Sequence, residues 1–282
     1  MTQGSWYPGN MARAVNQIRQ DIKAVDLVIE LLDARVPLSS CNPAFAKIIG
    51  DKAHTILLHK ADRADDDLTA GWLSYFHEQG KDSLPFSVFE KKYLKMFFAH
   101  IEKNTMKIKS LPFKRSLRLM IVGIPNVGKS TFINLVAKRN VARTGNQPGV
   151  TRGKQWIRIA PGADLLDTAG ILPKNTIHEQ VFPLAAVGAL PRGQFDLEST
   201  ALWLIEQYRL YSKYDLLVKR YGKAESDTPR VILEQVGLAH GCIGAGRSID
   251  HERAAAVIIK DFQAGLLGRI TLEKPPDTGA NL

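Results

Sequence analysis

The sequence has few cysteines, no long apolar run and a shortage of acids, and each lack narrows the reading. Only two of the 282 residues are cysteines, Cys41 and Cys242, far apart and without the paired spacing of a zinc site or a redox motif. That fits a reducing compartment and two inert thiols. The opening MTQGSWYPGN has neither a basic nor an apolar leader region, and the longest apolar run, VFPLAAVGAL, is about half of the roughly 20 residues a bilayer crossing needs. The expectation is a soluble cytoplasmic protein with no membrane partner. Repeats and low-complexity tracts are lacking too, which argues against a solenoid. Acids are outnumbered, 28 Asp and Glu against 38 Lys and Arg, for a net charge of +10. Such a surface attracts polyanions by counterion release, so nucleic acid is a reasonable partner, with a well-solvated basic surface as the other reading.

What is present is an alternation of short apolar runs and helical patterns. LVIELLD, HTILLHK, LPFSVF, LRLMIVG, QWIRIA and DLLDTAG read as strands, several nearly continuous in apolar residues, as strands covered on both faces of a parallel sheet should be. Between them, NMARAVNQIRQDIKAV sets Met11, Val15, Ile18 and Ile22 on one helical stripe. The first part of the chain is therefore an α/β layered domain. After Gly170 the composition changes: ESTALWLIEQYRLYSKY and DHERAAAVIIKDFQAGLLG are helical, with Gly and Pro punctuation between them. Two domains are expected, residues 1–176 and a small all-helical 177–282, with the tail EKPPDTGANL frayed.

GIPNVGKST, Gly123 to Thr131, matches the phosphate-loop pattern G-x-x-x-x-G-K-[ST] with an apolar strand before it and a helix after it. Gly123 and Gly128 permit a tight turn of inward-facing amides at a helix N-terminus; Val127, Gly128 and Thr131 complete the contacts of that loop. Lys129 is placed to reach β and γ phosphates and Ser130 to put its hydroxyl on Mg²⁺. Downstream, DLLDTAG gives Asp167 as a second metal ligand and Gly170 as a γ-phosphate contact in a D-x-x-G arrangement. In the Gly-rich TGNQPGVTRG between them, Thr151 is the candidate to close on the metal, although other hydroxyl residues lie nearby.

A phosphate loop does not distinguish bases. In HTILLHKAD a buried strand runs into His59, Lys60, Ala61 and Asp62, and the carboxyl end of a strand is where open α/β sheets bind ligands. The Asp62 carboxylate matches the two donors on guanine's Watson-Crick edge, while adenine would leave it mispaired. Lys60 has a stem that can lie along the base. Ser87, after the next strand, is placed to give a backbone amide to the guanine carbonyl, or is an ordinary strand-end serine.

HKAD looks like the guanine motif N-K-x-D, yet it precedes the phosphate loop, the Thr151 loop and D-T-A-G. That order resembles the circularly permuted GTPases. Together WYPGNMARA, LLDARVPLSSCNP, GIPNVGKST, QPGVTRG and DFQAGLLGRITLEKP are similar to the ribosome biogenesis GTPase A family, bacterial factors for late assembly of the large ribosomal subunit. The resemblance covers nearly the whole chain. It implies a P-loop NTPase domain with a circularly permuted parallel sheet, GTP and GDP as ligands, slow or ribosome-stimulated hydrolysis, and a precursor of the large subunit with its ribosomal RNA as partner of a chain that is monomeric off the ribosome. It also implies a K⁺ ion held by Asn126, where an Asn bracing the turn is the alternative. Two positions depart from it. His59 stands where the family has Asn, and an imidazole cannot reproduce a carboxamide's donor and acceptor pair. Asn10 stands where the family has a water-positioning His, the residue after D-x-x-G being the apolar Ile171; Asn10 can orient water but not accept a proton, and it can equally cap the first helix. Lys129, Gly170 and Asn10 are thus the catalytic candidates.

KKYLKMFFAHIEKNTMKIKSLPFKR carries many lysines and one acid, Glu102, and residues 138–158 carry six basic residues and no acid. Such patches suit RNA backbone. Leu94, Phe97, Phe98 and Ile101 should pack on the sheet. Tyr208, Tyr211, Tyr214 and Tyr221 are either RNA contacts or core. Two rival functions stay open at this stage, a nonhydrolysing GTP-binding assembly scaffold and an ATP-using P-loop enzyme.

Overall fold

The computed structural model describes residues 8–109, 115–137, 156–172 and 178–276. In chain order its helices and strands are α1 (Pro8–Asp21), β1 (Leu27–Asp33), α2 (Pro37–Ser40), α3 (Pro43–Ile49), β2 (Ala53–His59), α4 (Asp66–Glu78), β3 (Asp82–Phe86), α5 (Lys91–Lys109), β4 (Leu117–Gly123), α6 (Lys129–Val136), β5 (Trp156–Ala160) and β6 (Ala163–Leu166). Five further helices follow: α7 (His178–Ala186), α8 (Leu197–Leu210), α9 (Tyr214–Tyr221), α10 (Pro229–Ala239) and α11 (His251–Ala264).

All six expected strands are present, in one sheet of order β3-β2-β1-β4-β6-β5. Every residue of β1 is buried, Glu30 included, as its nearly continuous apolar run requires of a central strand covered on both faces. The sheet is mixed, not wholly parallel: β5 runs antiparallel to β6, because Pro161 and Gly162, the latter at φ 78, close a two-residue turn that joins only antiparallel neighbours. The other pairs are parallel, so β2, β1, β4 and β6 send their carboxyl ends to the same side.

One face of the sheet meets α5 and α6, and this buried cluster continues without a break through Leu172 into α7, α8, α10 and α11. On the other face, Ile18 and Ile22 of the first helical stretch cover Val28, Met120 and Val122, with Met11 and Val15 packed beside them. Trp72 and Phe76 of α4 cover Leu32, Ile56 and Leu58. In α5, Phe97 and Ile101 are buried and Leu94 and Phe98 pack against that core, as their spacing implies. Both cysteines are free; burial pushes the Cys41 thiol up to about 12, which fits an inert group.

Among the tyrosines, Tyr208 and Tyr221 belong to the core, their phenols donating to the Leu267 carbonyl (3.3 Å) and the Asp261 carboxylate (3.0 Å). The expected long helix through Tyr214 is broken after Leu210, with Ser212 at φ 54 between α8 and α9. The tail expected to fray is docked as far as Pro275. The Glu273 carbonyl accepts from Trp72 Nε1 (2.9 Å), its carboxylate accepts from the Leu38 (2.7 Å) and Ser39 amides, and Pro275 lies against Gly71. The expected boundary at 176/177 lies outside the described residues. Among the described residues no helix is long and apolar enough to cross a membrane.

The helix that follows the phosphate loop is tied to the sheet by an aromatic cluster: the fully buried Phe132 ring sits 5.0 Å from Phe86 and 5.1 Å from Phe97, both edge-on. Phe132→Ala should lower stability in urea unfolding by about 3–5 kcal/mol. A loss under about 1 kcal/mol would mean that this cluster does not anchor α6.

Candidate functional site

β4 ends at Gly123, where a Cβ would stand 2.8 Å from the Leu31 carbonyl oxygen, so only glycine lets the loop leave between β1 and β4. Asn126 follows at φ 56, and Gly128, at φ 114, caps the start of α6. Lys129 folds back over the loop, its Nζ donating to the carbonyls of Gly123 (3.1 Å) and Ile124 (2.8 Å). Burial brings its pKa down to about 8, against the pull of Asp167. Ser130 is half-buried and Thr131 exposed in the first turn of α6, and Val127 is buried beneath the loop.

β6 delivers the next segment to this loop. Thr168 Oγ1 donates to the Ile121 carbonyl (2.5 Å) and the Ile171 amide to the Gly123 carbonyl (3.3 Å). A Cβ on Gly170 would fall 2.8 Å from Lys129 Nζ and 3.0 Å from Pro125, so the D-x-x-G glycine is held against the phosphate-loop lysine. The Asp167 carboxylate is open to solvent on one side, yet the protein mass around it raises its pKa, partly offset by Lys129. Ile171 is buried among Ile18, Ile22 and Val122, so it has no contact with solvent through which to position a water.

From the other side comes the loop after β2. The His59 ring is wedged between Phe86, stacked at 5.9 Å, and Gly128, where a Cβ would lie 2.6 Å from the ring. Among the described residues neither of its ring nitrogens has a well-formed hydrogen bond, and burial, then neighbouring Lys60, pushes its pKa down to about 4, against a weaker backbone contribution from Val127. The imidazole is therefore neutral at physiological pH. Lys60, at φ 63, turns the chain and sends its Nζ to Asp33 Oδ2 (2.8 Å) and towards the Asn126 carbonyl (3.4 Å). Asp62 sits in the 3₁₀ turn Ala61–Arg63, with Arg63 Nε 3.5 Å from its carboxylate. Ser87 is buried and its Oγ accepts from the Phe89 amide (3.1 Å), so a ligand contact there falls to its backbone.

The structure thus brings His59, Lys60 and the phosphate loop into direct contact, although the sequence carries them in reversed order. Asn126 does something its sequence role did not suggest: its Nδ2 donates to the Gly188 carbonyl (2.7 Å), just beyond α7. Asn10 falls inside the first turn of α1, which removes the capping alternative, and its side chain lies outside the described residues, as does Thr151. No group of three or more His, Cys, Asp or Glu among the described residues could hold a metal ion.

Three contributors escaped the sequence reading. Asp33, fully buried at the end of β1, holds both Lys60 and Arg35 (2.9 Å); an acid ending a largely apolar strand was the available signal. Asn42 caps α3 and donates to the Ile171 carbonyl (3.0 Å), fixing the segment after Gly170. Arg269 grips the loop around Asp62 from behind, and nothing local in the sequence pointed to it.

Comparisons with known proteins agree with this geometry. The family described as 50S ribosome-binding GTPase matches residues 118–234, starting inside β4. A ribosome biogenesis GTPase A from Bacillus cereus is 38% identical over 97% of this chain and 95% of its own length. The mitochondrial ribosome-associated GTPase 1 of Mus musculus is 29% identical, over 95% of this chain and 90% of its own. Among solved structures, GNP-bound YlqF from T. maritima superposes with a TM-score of 0.66 at 29% identity, covering 94% of this chain and 99% of that one. Since these relatives are covered over nearly their whole length and one is 38% identical, the chain belongs to the ribosome biogenesis GTPase A family.

Proposed function

We propose that this chain binds GTP across the junction of its two loops, hydrolyses it, and acts as a nucleotide-dependent switch on a precursor of the large ribosomal subunit. GTPase activity and a part in ribosome assembly follow from membership in the family. The observation that supports one shared site is the seating of His59 against Gly128 and of Lys60 Nζ toward the Asn126 carbonyl. Asp62 is assigned to the base, with the Ser87 amide at the guanine carbonyl, and Val127, Gly128, Lys129, Ser130 and Thr131 to the phosphates.

In this reading Lys129 exchanges its two carbonyl partners for β and γ oxygens, and the Gly170 amide, held beside it, meets the γ phosphate. The Ser130 hydroxyl and the Asp167 carboxylate suit Mg²⁺: both are hard oxygen donors, and Asp167, its pKa raised by the protein mass on one side while the other stays open, gains from a nearby cation. Bound there, Mg²⁺ would supply charge neutralisation on the phosphate oxygens, with Thr151 proposed to join Ser130 and Asp167 in holding it. Asn126 Oδ1 is the assigned K⁺ ligand, its Nδ2 being committed to Gly188. Asn10 is assigned to orienting the attacking water; without a proton acceptor there, hydrolysis is slow until the ribosomal particle assists.

Residues 1–176 are proposed as the nucleotide-binding unit and 177–282 as the helical unit that meets ribosomal RNA, with the basic face of α5 as a second contact. The chain is proposed to work as a monomer in the cytoplasm, where the particle is built. The tie between Asn126 and Gly188 gives the phosphate loop a direct handle on the helices.

Cosedimentation with large-subunit precursor particles under GTP, GDP and no nucleotide should show association that depends on the nucleotide, with GTP turnover faster on the particle than off it. Equal association in all three conditions removes the switch. His59→Asn, which restores a carboxamide, should tighten GDP binding roughly fivefold by titration, the worth of about one net hydrogen bond; unchanged or weaker binding means the imidazole is no handicap. Lys129, at a pKa of about 8 in the free protein, must be an ammonium to meet phosphate, so binding takes up a proton above that value. GDP affinity should fall by roughly an order of magnitude between pH 7.5 and 9.5. A flat profile would place the bound and free pKa values together and Lys129 off the phosphates.

A further inference from the structure

The loop that carries Asp62 has little of its own to hold the carboxylate in place. Asp62 lies in a three-residue 3₁₀ turn, and among the described residues its one ion-pair partner is Arg63 at 3.5 Å. What surrounds that turn comes from the far end of the chain. Gly268, at φ 78 and with no room for a Cβ beside Leu216, lets the chain leave the helices and lie across the loop. Arg269 then donates from Nε to the Ala64 carbonyl (2.8 Å) and from Nη2 to the Ala61 carbonyl (3.1 Å), one guanidinium fork spanning both ends of the turn, and pairs with Asp66. The Ile270 amide takes the Arg63 carbonyl (3.1 Å). Thr271 Oγ1 accepts from the Asp65 amide (3.1 Å) and donates to the Ala34 carbonyl (3.1 Å), and the Leu272 amide takes the Arg35 carbonyl (2.7 Å). Arg63, the side-chain neighbour of Asp62, is itself pinned by the Gln263 carbonyl and packed against Gly265 at the end of α11.

We infer that Arg269 is a positioning residue for the Asp62 carboxylate, so that the segment after α11 sets how well the site discriminates the 2-amino group of guanine. The physical step is short. A carboxylate rewards two donors only when both of its oxygens are in place, and its orientation here is inherited from a backbone turn whose terminal carbonyls are held by Arg269. The exposed ion pair with Asp66, whose side chain is 74% exposed, adds little by itself; the two bonds to carbonyl oxygens are what fix the turn. In the same way, the helical part of the chain and the base-recognition loop become one mechanical unit, and a displacement of α11 reaches Asp62 through Arg63 and Arg269. This inference rests on the assignment of Asp62 to the guanine base.

The test compares GDP with inosine diphosphate, which lacks the 2-amino group, and adds inorganic tripolyphosphate as a probe of the phosphate loop alone. In the full chain, Arg269→Ala should cut the preference for GDP over inosine diphosphate about tenfold, the size expected for losing a hydrogen bond to a charged group, and leave tripolyphosphate affinity unchanged. Arg269→Lys, a single point donor unable to span both carbonyls, should fall between the two, and it carries the test should the alanine variant not fold. Asp62→Ala, measured alongside, should abolish the preference. If Asp62→Ala keeps the preference, the assignment of the base site fails, and the inference with it. If Asp62→Ala loses it while both Arg269 variants keep it, only the inference is overturned. Equal weakening of GDP and tripolyphosphate in the Arg269 variants also overturns it, since general loosening of the fold would do that.

Discussion

A carboxylate with no access to water, Asp33, stands between two cations that would otherwise have no reason to meet. Burial alone would push its carboxyl pKa up, but Arg35 and Lys60 more than reverse that and hold it well below the ordinary range. An unpaired charge at this depth costs several kcal/mol, so the three groups are stable only together. Lys60 brings with it the turn that follows β2, and Arg35 reaches the other way: its Nη1 donates to the Phe262 carbonyl (2.8 Å) and its guanidinium lies 4.6 Å from the Phe262 ring. One side chain at the end of β1 thereby fixes the HKAD loop on its left and the last helix on its right. Loss of the carboxylate would leave Arg35, 1% exposed, as a buried cation without a counterion, and the loop and the helix would lose their common anchor.

That anchor explains why reversed chain order does not disturb the site. A parallel sheet assembles its ligand site from the carboxyl ends of neighbouring strands, whatever loops join them. Here β2, β1 and β4 are adjacent in space, and their terminal residues His59, Asp33 and Gly123 share one edge. What the order does change is which segments are covalently continuous. The D-x-x-G segment leads on toward α7, and the chain then has to return to the HKAD loop only after α11 has been laid down. The docked stretch from Arg269 to Pro275 is that return.

How much of this was legible in the sequence follows from the range of the interactions. The central strands were readable because burial on both faces writes a nearly continuous apolar run into a single segment, and the phosphate loop because its whole geometry is encoded in nine consecutive residues. The direction of β5 was not, since apolar content carries no sign; only the Pro161-Gly162 turn betrayed the hairpin. The alternative for Tyr208 and Tyr221 was settled by packing, a tertiary fact. Glu273 and Arg269 look, within EKPPD and GLLGRIT, like solvated punctuation. Their partners lie more than 200 positions away, and no periodicity spans that distance.

The positions that sequence reasoning could not reach share a feature beyond long range: nearly all of them act on backbone carbonyls or amides. Asn42 holds the Ile171 carbonyl, Arg269 those of Ala61 and Ala64, Asn126 that of Gly188, and Glu273 the amides that open α2. A side chain that bonds to backbone leaves no complementary residue for a pattern to pair it with, because every residue offers the same peptide group. The residues proposed for base and phosphate were visible because a nucleotide of fixed chemistry calls for fixed residue types at fixed spacing. The residues that orient them are set by the path of the chain, and that path is known only once β1, carrying Asp33, has brought the two loops and α11 to the same edge.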